Sequence, residues 1–371
     1  MKNISRYIVI AVSILIIAAI IYLFSDIVAY VLIAWVLSMI GQPMMRFFQK
    51  NIKIGKFQAG SSISAILTML CYIIIFTALL WMFVPLVVQQ ARNLTAVDYN
   101  LIGETLKEPL DQINTLLVET GLIDPGQSPT EQLTKTMKKW FSLEKMREFL
   151  SSIFAVAGDF IFAFFSVVFI LYFFLKDQGL FVNFLVAMAP NKYGEEVKNA
   201  LDRITKLLRR YFGGILLQMT IITIFISVLL GLLGVKNALL IGFFAALINV
   251  IPYLGPLIGA SFAIFITVSS NIGLDFYTEM LPLLIKVVIV FGAMQMLDNF
   301  VLQPYIFSNS VLAHPLEIFI IILMGAQING IIGMVLAIPA YTIIRVIARS
   351  FLNEFRIVQQ ITGSIEGIEE K

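Results

Sequence analysis

Polar side chains are rare in this sequence, and many of them fall beside breaks in the long apolar stretches of its C-terminal half. Apart from Asp298 and His314 they are neutral amides and a phenol, which hydrogen-bond without carrying charge. Such groups suit a hydroxylated or polar solute better than a strongly charged one. The predicted substrate or ion pathway comprises these residues and the neighbouring turn residues: Asn249, Pro252, Tyr253, Gly255, Pro256, Gln295, Asp298, Asn299, Gln303, His314, Gln327 and Asn329.

Asp298 is the ionisable residue with the strongest functional prediction. It stands beside Asn299 at the inner end of a predicted span over residues 281–297. Ionisable groups inside a membrane are costly, and they mark ion pathways and proton relays by default. Asp298 is therefore the candidate cation or proton site, with a helix-end role as the alternative. Lys286 could snorkel to the surface, and Glu317 is predicted to stabilise a helix start.

Residues for other kinds of chemistry are scarce. The chain has one cysteine, Cys71, and one histidine, His314, which excludes a cluster of His and Cys metal ligands. It has no Gly-x-x-x-x-Gly-Lys-Ser/Thr phosphate loop, and only His314 could activate a nucleophile. The net charge of +3 is too small to indicate nucleic acid binding. We expect no enzymatic activity, no cofactor, no metal and no nucleic acid partner.

The composition is that of a membrane protein. Hydrophobic residues make up 59% of the chain and charged residues 13%, whereas soluble domains carry roughly 25% charged residues. A bilayer core about 30 Å thick needs roughly 20 apolar residues in a helix. Runs without Asp, Glu, Lys or Arg cover residues 7–25, 27–45, 57–91, 160–175, 211–235, 237–274 and 318–344, and the run 281–297 holds only Lys286.

The positions of the basic residues predict the orientation in the membrane. Lys2 and Arg6 precede the first run, and four basic residues without an acid lie between Arg46 and Lys56. Arg345 and Arg349 follow the last run. Short cytoplasmic loops are enriched in Lys and Arg. We therefore expect a multi-pass protein of the bacterial inner (cytoplasmic) membrane with both termini in the cytoplasm.

The chain is predicted to have three regions. Residues 1–91 form N-terminal transmembrane helices, 92–150 an extracytoplasmic helical pair, and 151–371 a second transmembrane region. In the third region, residues 190–210 are predicted to form an amphipathic helix at the cytoplasmic surface, packed either on the bundle or on lipid. Its apolar stripe consists of Val197, Leu201, Ile204, Leu208 and Tyr211.

Two apolar segments are broken in their middle. Residues 237–274 are interrupted by Pro252 and Pro256, and residues 315–344 by a flexible stretch over 325–330. Both are predicted to be re-entrant hairpins, which point in opposite directions. Irregular backbone at membrane depth is tolerated where protein or a water-filled cavity satisfies it, and many transporters build their sites this way. Packing kinks are the alternative. Gly255 is expected to border a hydrated cavity with room for a side chain.

The predicted fold is thus all-α, a polytopic membrane protein with about six full transmembrane helices plus two oppositely oriented re-entrant helical hairpins. Several motifs in this arrangement resemble the autoinducer-2 exporter family of permeases. They are Tyr211-Phe-Gly-Gly214, Asn249-Val-Ile-Pro-Tyr-Leu-Gly-Pro256, Leu297-Asp-Asn-Phe-Val-Leu-Gln-Pro304, His314-Pro315, Gly325, Gly330, Gly333-Met334 and Ala337-Ile-Pro339. The chain departs from the family pattern at Phe307-Ser308-Asn309, where the family usually has a glycine.

The resemblance implies export of small polar molecules such as the quorum-sensing furanone autoinducer-2, and it implies homo-oligomerisation. Some relatives resemble sodium or lithium to proton antiporters. Two hypotheses of different class follow. The first is a secondary exporter of a small polar solute, with cation/proton antiport as its variant. The second is a non-transporting membrane scaffold whose helical pair at 92–150 binds a partner.

Overall fold

The computed structural model of the protein describes residues 23–54, 57–58, 60–96, 115, 161–252, 254–271, 274–310 and 314–351. These residues are helical almost throughout, apart from two short antiparallel strands, β1 (Lys53–Ile54) and β2 (Phe57–Gln58). The predicted first span and the predicted helical pair at 92–150 lie almost entirely outside the described residues. Tyr253 lies outside them as well.

Long apolar helices dominate the described part of the chain. By length and hydropathy alone, five helices there are long enough to cross a membrane: Ser25–Asn51, Ser61–Gln89, Asn191–Leu232, Phe276–Ile306 and Leu316–Phe351. The last of these is broken in its middle, at Asn329 and Gly330. The bent pair Ile161–Lys176 and Leu180–Met188 makes a sixth if it counts as one span. The all-α polytopic membrane fold predicted from the sequence is therefore confirmed.

The described residues form two compact units. The first contains residues 23–75 and 161–209, and the second contains residues 76–96 and 210–351. Helices α1 (Ser25–Asn51), α2 (Ser61–Ala96) and α3 (Ile161–Lys176) supply the core of the first unit. The buried side chains of that core are Ala34, Met45, Ala65, Leu171 and Leu175.

Helix α4 (Leu180–Met188) follows α3 after a turn and was not predicted from the sequence. Gly179 starts it with φ of 90°, a left-handed conformation that glycine adopts without strain. The two helices are bent by 88° relative to each other. With nine residues, α4 is much shorter than the roughly 20 apolar residues that indicate a membrane span.

Helix α5 (Gly194–Leu232) has 39 residues and is about 58 Å long. The predicted amphipathic helix and the predicted fifth span are thus one continuous helix. The apolar stripe of the amphipathic part is buried, with Ile204, Leu208 and Tyr211 each 2 to 3% exposed. Val197 and Leu201, at the start of the stripe, are half-buried. The later part of the stripe therefore packs inside the protein, and the position of the helix at the membrane surface stays a prediction.

The first predicted hairpin consists of α6 (Ala238–Ile248) and α7 (Leu254–Ser269). These arms are about 17 and 24 Å long, so neither reaches across a core of about 30 Å. The Phe244 and Phe262 rings stack at 3.7 Å between centroids, which holds the arms together. Both arms pack on α5 and α8 (Leu281–Leu297) in one apolar core.

The rod that contains α8 is helical from Phe276 to Ser310. It begins with a π-helical turn, Phe276–Met280, and a second π-helical turn, Asp298–Leu302, joins α8 to α9 (Gln303–Ser310). The sequence predicted that Asp298 lies at the end of a span. In the structure it lies within a continuous helical rod. At the start of the rod, the Thr278 backbone N–H and hydroxyl donate to Asp275, and these bonds hold the Asp275 pKa below its ordinary value.

The second predicted hairpin is α10 (Pro315–Phe351), which is broken in its middle. Asn329 and Gly330 have non-helical backbone angles, and Gly330 has φ of 53°. This break falls at the end of the flexible stretch 325–330 that the sequence indicated. Two arms that meet at a break are confirmed for both hairpins, whereas their opposite orientation in the membrane stays a prediction.

Candidate functional site

The carboxylate of Asp298 is buried at the centre of the second unit. Its side chain is 1% exposed, and three side-chain amides donate hydrogen bonds to it. Gln218 Nε2 lies 2.6 Å from Oδ1, Gln303 Nε2 lies 2.8 Å from Oδ2, and Asn249 Nδ2 lies 3.3 Å from Oδ2. Because all three partners are donors, this arrangement matches the hydrogen-bonding needs of an ionised carboxylate.

The three amides come from three separate elements. Gln218 lies on α5, Asn249 lies at the end of the first arm of the first hairpin, and Gln303 follows the second π-helical turn. A π-helical turn inserts a residue into the usual helical register and is frequent at functional sites. Asp298 begins this turn. One carboxylate therefore links the tip of the first hairpin to two long helices.

Gln218 is the member of this group that the sequence analysis missed. It is 7% exposed and stands 80 residues before Asp298 in the chain. A signal was present, because Gln218 is the only amide side chain in the uncharged run 211–235. The sequence could not show that Gln218 contacts Asp298, because residue spacing predicts contacts only within one helix or between neighbouring segments.

A small cavity of about 20 Å³ adjoins the Asp298 carboxylate. A single water needs about 10 to 15 Å³, whereas pockets for small molecules measure about 300 Å³ or more. The cavity therefore has room for one water or one bare cation. Its lining combines the polar residues Asn249, Gln295 and Asp298 with Ile222, Ile226, Ala245, Pro256, Gly259, Phe291 and Met294.

Gly255 does not border open space, and the expectation that a side chain would fit there is wrong. A Cβ atom at Gly255 would lie 2.6 Å from the Asn249 Cα and closer still to the Ile248 carbonyl oxygen. Both are backbone atoms of the opposite arm, which cannot move aside as a flexible side chain can. Gly255 therefore allows the tip of the first hairpin to close, and it is buried.

The first hairpin also contacts the second one. Ile251 at the first tip is 4% exposed and packs in a cluster with Ile318 and Ile322 of one arm and Ala337 and Ile338 of the other. Tyr211 of α5 belongs to the same cluster. A displacement of the first tip would therefore change its packing against both arms of the second hairpin.

The arms of the second hairpin touch near their break. A Cβ atom on Gly325 would lie 2.8 Å from the Gly333 carbonyl carbon. A Cβ atom on Gly333 would likewise lie 2.8 Å from the Gly325 carbonyl carbon. Small residues permit such close helix contacts in membranes. Glycine at both positions is thus required by the approach of the two backbones.

A hydrogen bond joins the arms further from the break. Tyr341 donates from Oη to Glu317 Oε2 at 2.6 Å, and the Arg345 guanidinium lies 5.9 Å from the Tyr341 ring centre. Glu317 was expected only to stabilise a helix start. At that start, His314 Nδ1 accepts a hydrogen bond from the Leu316 backbone N–H at 3.3 Å.

Removal of the Tyr341 hydroxyl is expected to destabilise the second hairpin. Tyr341→Phe leaves the Glu317 carboxylate without this donor, and a hydrogen bond to a charged group is worth about 1.5 to 3 kcal/mol. Thermal unfolding in detergent should show a lower midpoint than for the wild type. The matched control is Tyr193→Phe at an exposed position, and equal midpoints for both variants would contradict this role.

The remaining predicted residues do not all converge on Asp298. Gln295 lines the cavity and donates from Nε2 to Asn299 Oδ1 at 2.9 Å. Pro252 is buried at the first tip. Gln327 and Asn329 are exposed near the break of the second hairpin. Lys286 donates to the Leu233 carbonyl at the end of α5, at 3.2 Å, and its snorkelling to the membrane surface stays a prediction.

In the described part of the chain, no group of three or more His, Cys, Asp or Glu residues lies close enough together to hold a metal ion. The amide cage around Asp298 therefore differs from a site built of several charged ligands. It presents one carboxyl group and several amide dipoles to the adjoining cavity.

Comparison with known proteins agrees with this architecture. The model of the AI-2E family transporter matches residues 10–353. Two relatives are named "Putative transport protein" YueF and YrrI, both of Bacillus subtilis (strain 168). YueF is 32% identical over 57% of this chain and 54% of its own length, and YrrI is 28% identical over 51% of each. The chain spans about half the length of the curated relatives it matches.

The family match covers nearly the whole chain, including both hairpins and every residue around Asp298. It agrees with the resemblance drawn from the sequence motifs and with the multi-pass helical fold. A transporter family also accords with the expectation that the chain is not an enzyme. The chain therefore belongs to the AI-2E transporter family, and its fold is that of a multi-pass membrane protein.

Proposed function

We propose that the chain is a secondary exporter of a small polar solute similar to autoinducer-2, and that the Asp298 group controls its pathway. The observation that carries this proposal is the hydrogen bond between the buried carboxylate and Asn249 at the first hairpin tip. Broken helices around a polar site near the membrane centre are a common plan for secondary transporters. Asp298 supplies the carboxyl group of such a site.

The size of the cavity determines how such a solute would pass. A cavity of about 20 Å³ excludes an organic solute, so the pathway is closed at Asp298 in this conformation. Passage requires the first tip to move away from Asp298, which breaks the bond from Asn249 at 3.3 Å. That bond is the longest of the three, whereas Gln218 and Gln303 hold the carboxylate more closely.

Cation/proton antiport is the second candidate, and the cavity itself favours it. One bare monovalent cation fits beside the carboxylate without any movement of the hairpins. A buried carboxylate can also exchange a bound cation for a proton, which is the minimal requirement of antiport. In this case the amide oxygens of Asn249 and Gln295, which line the cavity, would supply further ligands to the ion.

A flux assay in sealed vesicles tests these functions against each other. The purified protein is reconstituted and supplied with autoinducer-2, a panel of polar metabolites, and sodium or lithium under a proton gradient. Export predicts movement of a polar solute, and antiport predicts cation movement that depends on the pH difference. A scaffold moves nothing above protein-free vesicles, and that result would reject both transport proposals.

The proposed orientation places both termini and the loop from Arg46 to Lys56 in the cytoplasm of a bacterial inner membrane. Cysteine labelling in intact cells tests it, with Cys71→Ala as the background. An impermeant thiol reagent should modify Gly126→Cys and should reach Lys53→Cys only after the membrane is opened. The reverse pattern would show the opposite topology. We also propose a homo-oligomer, to be checked by the mass of the detergent complex.

A further inference from the structure

Helix α4 (Leu180–Met188) has no role in the transport pathway proposed above. Its nine residues are apolar except for Asn183, and none of them is buried. An uncharged helix of about 14 Å is too short to cross a bilayer core of about 30 Å. Its apolar surface therefore needs another explanation.

The helix has two distinct faces. Phe181 points toward the first unit, where its ring centre lies 4.8 Å from that of Trp35 and 5.7 Å from that of Phe174. On the arc next to Phe181, Phe184 is 61% exposed and Met188 is 62% exposed. The complete exposed face follows helical spacing and consists of Leu180, Asn183, Phe184, Ala187 and Met188.

The direction of the helix agrees with a position in the membrane plane. It is bent by 88° from α3, whose side chains Phe162, Phe165 and Phe169 are each 67 to 68% exposed. In a multi-pass membrane protein, this exposed aromatic row faces lipid. The described part of α3 is about 24 Å long, which is shorter than a bilayer core of about 30 Å. With α3 along the membrane normal, a helix at a right angle to it lies parallel to the surface, and its exposed face continues the lipid-facing surface of α3.

The flanking residues indicate the depth. Lys176 lies 6.0 Å from the Tyr172 ring centre before the helix, and Lys192 lies 5.3 Å from the Tyr193 ring centre after it. Lysine and tyrosine together are typical of the boundary between headgroups and acyl chains. Acids and bases are equal in number from Lys176 to Lys198, so no net positive charge selects anionic lipids.

We propose that α4 is an interfacial anchor, which inserts Leu180, Phe184 and Met188 into the boundary between lipid headgroups and acyl chains. Apolar burial supplies the binding, as in other helices that lie on membranes. The partner is the bilayer surface itself and does not depend on anionic headgroups. The anchor holds the end of α3 and the start of α5 at a constant depth in the membrane.

Spin labelling of the full chain in vesicles tests this proposal. In a Cys71→Ala background, Phe184→Cys carries the nitroxide, and its depth is read from the collision rates with oxygen and with a water-soluble nickel complex. Phe165→Cys on α3 is the control for the acyl region, and Glu195→Cys is the control for water. The Phe184 label should lie at a depth between the two controls, equally in zwitterionic and in anionic vesicles.

Each other outcome contradicts the anchor. A label accessible to nickel as fully as the Glu195 label would place α4 in water. A label shielded from both reagents would mean that protein covers the face, as in contact with a second copy. Insertion only into anionic vesicles would reject the apolar mechanism. As a second test, Phe184→Glu should move a label at Met188 toward water, whereas Phe184→Leu should leave it in place.

Discussion

Asp298→Asn is expected to slow solute or ion flux in sealed vesicles by about tenfold or more. The substitution preserves the size of the side chain and removes its charge, while Gln218, Gln303 and Asn249 still point their amides at it. A change of about 1.4 kcal/mol at the limiting step already corresponds to one decade in rate. Removing the Asp298 charge should change the barrier by more than that value, because electrostatic interactions of a buried group are stronger at low dielectric.

The matched control is Asp275→Asn, the same chemical change at the exposed start of the same helical rod. Asp275 caps the first π-helical turn through Thr278, and Asn caps helices about as well as Asp. Its flux should stay near the wild-type rate. If Asp298→Asn also kept the wild-type rate with an unchanged pH dependence, Asp298 would have no part in the mechanism.

Gly333→Ala is expected to destabilise the second hairpin strongly. The added methyl group would collide with the Gly325 carbonyl of the opposite arm, and neither backbone can yield without separating the arms. Overpacking of a tight core costs about 1 to 3 kcal/mol, and contact with backbone belongs at the upper end of that range. Thermal unfolding in detergent should show a clear loss of stability and a lower yield of folded protein.

Gly292→Ala supplies the control for this change. Gly292 lies in α8 with nothing within 4 Å of its hypothetical Cβ, and alanine favours a helix over glycine by about 1 kcal/mol. This variant should be as stable as the wild type or slightly more so. A Gly333→Ala protein as stable as Gly292→Ala would mean that the arms do not approach as closely as described.

Gly255 illustrates how the structure changes an expected outcome. A hydrated tip would let Gly255→Leu fold normally and lose only its flux. Because the position faces the backbone of Ile248 and Asn249, the same variant should instead be misfolded or poorly expressed. The size of the oligomer and the yield after detergent extraction distinguish these results. The tip remains part of the proposed pathway through Asn249, whose amide reaches Asp298.

The sequence alone was sufficient for the class of protein, for most of its spans and for the position of both helix breaks. These features depend on local properties: the length of an apolar run, the missing N–H of Pro252 and Pro256, and the backbone freedom of Gly330. Asp298 was also identified locally, because a carboxylate between apolar segments is conspicuous. The motifs around it were enough to recognise the family.

Only the tertiary structure decided what surrounds these residues. It paired Asp298 with Gln218 across 80 positions, joined Glu317 to Tyr341 across the second hairpin, and placed backbone where Gly255 was expected to face water. It also turned the short helix Leu180–Met188 by 88° from the helix before it. Such relations arise when distant segments pack against each other, and the periodicity of one segment carries no information about which partner it meets.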